Sequence, residues 1–109
     1  MPDVALYRWD RIPRDPEGRV ADDFFESPDI AVEIVSPRQS VTTLVRKCLW
    51  YVAHGAHIAV LVDPADESVL LFRRDRPTEP LRGAEAIDLG DVLPGLTLTA
   101  QELFDSLRL

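Results

Sequence analysis

The sequence predicts an α/β (α+β) domain, a mixed β-sheet with an amphipathic helix packed on it. Three observations carry this. Residues 29–36, 57–63 and 68–74 are short, nearly continuous apolar runs bounded by turn residues, the signature of buried strands. Residues 41–54 instead repeat apolar side chains every three or four positions, the signature of a helix with one buried face. The order strand, strand, helix, strand, strand, helix then fits a sheet covered by helix rather than a bundle or a sandwich. The chain has 109 residues, enough for one domain spanning 1–109. Its 46% hydrophobic and 28% charged content excludes a largely disordered chain.

Each element has its own local reason. "DVALYRW" (3–9) alternates as a strand, with Val4, Leu6 and Arg8 on one face and Asp3, Ala5, Tyr7 and Trp9 on the other. The Pro-, Asp- and Gly-rich stretch 10–28 is a long connection with a helical turn near Asp22–Phe25. After strand 29–36, "PRQS" breaks the run and Ser40 is placed to cap the helix. Val41, Leu44, Val45, Cys48, Tyr51 and Val52 form its apolar face, and Gly55 stops it. "PADE" turns strand 57–63 back into 68–74 as a hairpin. Segment 75–95 is looser, with a short strand expected at Ala86–Leu89. "TAQELF" (99–104) carries a capping box, Thr99 with Glu102 three residues on.

The net charge of −7 argues against a purely electrostatic nucleic-acid binder, but leaves room for a nuclease in which a metal and local cations offset the acidic background. Cys48 is the only cysteine, so no intrachain disulfide forms, and its apolar setting suggests a core thiol in a reducing compartment. No apolar run approaches the ~20 residues that span a bilayer, and no signal-peptide core opens the chain. The expected location is cytoplasmic, with no membrane partner.

Glu33 is the anomaly. It interrupts the apolar run Ile30, Ala31, Val32, Ile34, Val35, where an unpaired carboxylate costs several kcal/mol. Asp29 shares its face of the strand, but four residues at about 3.3 Å each hold the two roughly 13 Å apart, too far to share a cation. Asp29 therefore reads as a strand-start or loop-cap residue. Asp3 can meet Glu33 if strand 3–9 lies beside strand 29–36, since cross-strand neighbours approach within ~5 Å at Cβ. A divalent cation between the two would offset their repulsion. Lys47 stands at the margin of the helix's apolar face, where its stem can reach back to the sheet. The plainer alternative is an ion pair from Glu33 to Arg8 or Arg46, with Lys47 a solvated charge.

The ordered set "PDVALYRW", "AVEIVSP", a helical Lys before "YVAHG", and "VLVDP" resembles the Uma family of restriction-endonuclease-like proteins, in the PD-(D/E)XK nuclease superfamily. The resemblance runs over nearly the whole chain. It implies a restriction-endonuclease-like fold and a metal-dependent endonuclease acting on DNA with Mg²⁺ or Mn²⁺. Asp3 would match the "PD" acid, Glu33 the (D/E) acid, and the main-chain carbonyl of Ile34 a further ligand. The superfamily's usual Lys position holds Val35 here, and Lys47 on the following helix takes that role, orienting water or stabilising charge. Ser36 would be a hydrogen-bond donor outside the ligand set. Relatives carry a segment before the "PDV" strand, so the chain is expected to lack it and to expose a sheet edge; dimerisation over that edge is the favoured outcome, the alternatives being a shortened inactive relative or a missing part supplied by another chain. The second reading is an inactive nuclease-fold module used in binding or assembly.

Other side chains carry weaker signals. His54 and His57 flank Gly55, and His54 is expected to interact with the helix C-terminus. Asp63 before Pro64 reads as a turn residue. Arg73, Arg74, Arg76 and Arg82 form a candidate basic cluster that could track phosphates or sit at a solvated hairpin end. Trp9 and Trp50 are expected to pack. Phosphate-binding glycine loops, HExxH, CxxC and the serine nucleophile elbow are absent.

Overall fold

The computed structural model describes residues 2–8, 16–17 and 27–107. Trp9 and the turn expected at Asp22–Phe25 lie outside the described residues. Five strands form one sheet in the order β1-β2-β3-β4-β5: β1 Val4–Leu6, β2 Ile30–Ile34, β3 Ile58–Asp63, β4 Ser68–Arg73 and β5 Glu79–Arg82. Helix α1 is Val41–Ala53 and helix α2 is Ala100–Leu107. The sheet is mixed, as expected: β2 and β3 are parallel, joined through α1, and the other neighbours are antiparallel.

Strand period two sorts the side chains into two cores. On one face Ala31, Ala59, Leu61 and Phe72 pack under α1 through Leu44, Cys48, Tyr51, Val52 and Ala56. On the other, Ile30, Ile58, Val60, Val62, Val69, Leu71 and Leu81 meet Ile87, Leu89, Val92, Ala100 and Phe104. The sheet is thus enclosed between α1 and the C-terminal segment with α2. Burial on both faces explains why β2, β3 and β4 read as apolar runs without alternation.

Helix ends follow the local chemistry. The Ser40 hydroxyl accepts from the Thr43 amide at 3.3 Å. At the far end Gly55 has φ +117°, and a Cβ there would press on the Ser27 side chain at 3.1 Å. The Thr99–Glu102 capping box forms in both directions, at 3.0 and 3.1 Å.

Two expectations are corrected. Residues 79–82 form strand β5, while Ala86–Leu89 supplies only one bridge, Ala86 to Thr99. Pro80 masked the strand, because proline removes a ladder donor and is tolerated at a sheet edge. The arginine cluster assembles only in part: Arg73, Arg74 and Arg76 line one cleft with His57 and Asp91, and Arg82 lies apart from them. Arg73 is buried on the α2 face, bonded to the Asp88 carbonyl and to Glu79 at 3.2 Å. Arg74 reaches the Val52 carbonyl at the end of α1, 3.0 Å away. Arg82, at the other end of the hairpin, pairs with Asp66.

Candidate functional site

Glu33 points to the α1 face, where the β2–β3 register sets it beside Leu61. It is 1% exposed. Two groups from successive turns of α1 meet its Oε1. The Tyr51 hydroxyl donates at 2.7 Å and the Lys47 ammonium lies 3.4 Å away. Residues four apart share a helix face, so one helix edge delivers both. Lys47 keeps 39% of its side chain in water, consistent with a margin position. Burial, the bond to Glu33 and the Glu33 charge together hold the Tyr51 phenol well above its ordinary range. Burial first, then the Glu33 charge, pushes the neighbouring Cys48 thiol up to about 12, against the opposing pull of Lys47.

Asp3 directly precedes the adjacent strand β1. The antiparallel register pairs Val4 with Val32 and Ala5 with Ala31, so its continuation sets Asp3 opposite Glu33 on the α1 face. The Ile34 amide donates to Asp3 Oδ2 at 2.7 Å. Asp29 makes the mirror-image contact, accepting the Arg8 amide on Oδ2 at 2.6 Å. Its backbone accepts from the His57 amide at 3.0 Å and the Ile58 amide at 3.2 Å. Asp29 is therefore a strand-start cap, as its distance from Glu33 along the strand requires.

The remaining candidates fall into place around these. The His54 ring Nδ1 lies 2.8 Å from the Trp50 carbonyl, so His54 serves the end of α1. Asp63 accepts the Asp66 amide at 3.2 Å, closing the turn. Ser36 is exposed and its amide donates to Gln39 at 3.1 Å. Trp50 does not pack into the core: it is 57% exposed. Tyr51 is the member of the constellation that sequence reasoning assigned only to the apolar face. The available signal was its place four residues after Lys47 on the turn facing a buried acid.

A cleft of about 480 Å³ opens on the α1 side of the sheet, lined among others by Val41, Leu61, Asp63, Asp66, Arg82 and Glu85. Three acids against one arginine make its polar wall acidic. Among the described residues no helix is long and apolar enough to cross a membrane, and no cluster of three or more His, Cys, Asp or Glu residues is placed to hold a metal.

No functionally curated protein matches the chain. A solved structure described as a "putative nuclease belonging to DUF820", from Anabaena variabilis, superimposes with a TM-score of 0.90 at 31% identity. The match covers 99% of this chain but 61% of that one, so this chain spans less than two thirds of its length. The model of the Uma2 family, described as "Putative restriction endonuclease", matches residues 1–101. On that match, which covers most of the chain, the chain belongs to the Uma2 family.

Proposed function

We propose that the chain is a divalent-metal-dependent endonuclease domain that hydrolyses phosphodiester bonds of DNA. The observation that carries the reading is the register of β1 on β2, whose continuation past Val4 supports Asp3 facing the buried Glu33, with Lys47 3.4 Å from Glu33. A buried carboxylate facing a second carboxylate and a lysine is an arrangement that stability alone does not call for.

The donor set fits a hard cation. Asp3 and Glu33 offer carboxylate oxygens, and the Ile34 carbonyl would add a third oxygen from the same strand end. Two carboxylates and few other protein ligands suit Mg²⁺ or Mn²⁺, which bind through oxygen and retain water. The chemistry such an ion supplies is polarisation of a phosphate oxygen and acidification of water. The chain's own groups do the rest. The Tyr51 hydroxyl and Lys47 both engage Oε1 of Glu33, which fixes the carboxylate and keeps Oε2 out of those bonds. Lys47, half in water, can meet the substrate and stabilise negative charge developing on its phosphate. Val4 and Leu6 are exposed on the edge strand β1, which supports self-association through that edge as part of the proposal.

The test is calorimetric titration with Mn²⁺ of the wild-type protein and Glu33→Ala, followed by cleavage assays on DNA. Binding by the wild type that disappears in the variant is the expected result. Absence of binding by both, or equal binding by both, would sink the nuclease reading in favour of a fold retained for assembly.

A further inference from the structure

Among the described residues Trp50 is the largest hydrophobic side chain that the core leaves exposed. Its indole is more than half exposed, yet it is held in place by its own helix. The His54 ring stacks on it with centroids 4.1 Å apart and planes 16° from parallel. Tyr51 meets it edge-on at 5.9 Å and 81°. The contact of His54 Nδ1 with the Trp50 carbonyl fixes the stacking ring in turn. A flat aromatic surface is therefore presented to water with little freedom left to lose on binding.

Its position relates it to the candidate site. At 100° per residue, Lys47, His54 and Trp50 lie within about a 60° sector of α1 that runs from Lys47, at the margin from which it reaches Glu33, outward to Trp50. Arg46 lies one turn before Trp50, and none of these four side chains lines the acidic cleft beyond Leu61. The exposed Leu49 is about 100° round the helix from Trp50, so the indole is not the centre of a continuous apolar patch. Cations beside an aromatic plane suit a base with its phosphate better than an apolar protein surface.

We propose that Trp50, backed by His54, is a stacking platform for an unpaired base of the nucleic-acid strand whose phosphate lies at Lys47. This rests on the nuclease reading and deepens it: the substrate presents an unstacked base next to the scissile bond. Bases inside an intact duplex have no free face to offer, whereas single-stranded or locally opened DNA does. Trp50 is a binding residue, and the chemistry stays with Asp3, Glu33 and Lys47.

The test is fluorescence anisotropy in EDTA with a labelled single-stranded oligothymidylate and a blunt duplex of equal length, so that binding is read without cleavage. Wild type is expected to prefer the single strand. Trp50→Ala should bind it about tenfold more weakly, the loss of one base–aromatic stack, and Trp50→Phe should recover part of that loss. Duplex binding should not respond. Equal single-strand binding by Trp50→Ala, or no binding by the wild type, overturns the platform. So does a fall in oligomeric state on Trp50→Ala, measured by light scattering, which would assign the indole to a contact between copies of this chain. Trp50-dependent binding in a protein that takes up no Mn²⁺ would uphold the platform and sink the nuclease reading alone.

Discussion

The Tyr51 hydroxyl donates to Glu33 Oε1 at 2.7 Å, across the interface between α1 and the sheet. It is a neutral donor on a buried anion, a bond of the charge-assisted kind. Tyr51→Phe keeps the ring and removes only the donor. The variant should lose about 1.5–3 kcal/mol of stability in urea unfolding, because the carboxylate stays buried with one fewer partner. A loss below ~0.5 kcal/mol would show that Lys47 and water satisfy Glu33 without it.

Cys48 should be chemically silent in the native state at pH 8. Its thiol, ordinarily near 9.0, is pushed up to about 12 by burial and by Glu33. A thiol reagent should label it only on unfolding. The linkage has a definite sign. A pKa raised in the folded state gives stability that is complete below the unfolded value of 9.0 and is lost as pH rises through about 12. Tyr51, also raised, works in the same direction. Stability measured against pH should fall across that alkaline window, and Cys48→Ala should flatten part of the slope.

Arg73 should prove structural. Its buried guanidinium bonds the Asp88 carbonyl and the half-exposed Glu79 on the α2 side of the sheet, with the exposed Asp91 at 3.8 Å. Its buried Nε has no hydrogen-bond partner, so the site is already imperfectly satisfied. Arg73→Ala orphans a carbonyl and removes a buried stem, and should cost about 2–4 kcal/mol by denaturant unfolding. A change in DNA affinity with stability intact would restore the basic-cluster reading.

Thr99→Ala should cost about 1 kcal/mol, since it breaks one arm of the capping box and leaves the Glu102 amide unpaired. Thermal unfolding should show a matching drop, and Thr99→Ser should show little.

Much of this was legible because burial imposes a period. Strands β2, β3 and β4 are apolar on both faces, and α1 repeats at three and four, so pattern alone placed them. Glu33 stood out against that pattern, and Lys47 stood at its margin. Tyr51 did not stand out, because a phenol counts as apolar in any periodicity although its hydroxyl is what the site uses. Trp50 misled in the opposite sense: a large aromatic reads as core, although the helical period already sets it off the apolar face of α1. Strand β5 was hidden by Pro80, with Leu81 its only buried anchor. Of the four arginines, Arg73, Arg74 and Arg76 do border one cleft. The hairpin separates Arg73 from Arg82, and strand alternation turns Arg73 inward.

The two aspartates of the β1–β2 pair have a consequence for how the site fails. Asp3 of one strand receives the Ile34 amide of the other, and Asp29 returns the contact to Arg8. A three-residue edge strand is thus pinned at both ends by side chains, and its opening is a local event far cheaper than global unfolding. Amide hydrogen exchange can watch the two pins separately, at Ile34 and at Arg8. Removing Asp3 would therefore confound two losses, a carboxylate and a pin. Because Ile34 loses its acceptor in any such variant, it is the Arg8 amide, still held by Asp29, whose slow exchange shows that the strand remains in place and that only the carboxylate was lost.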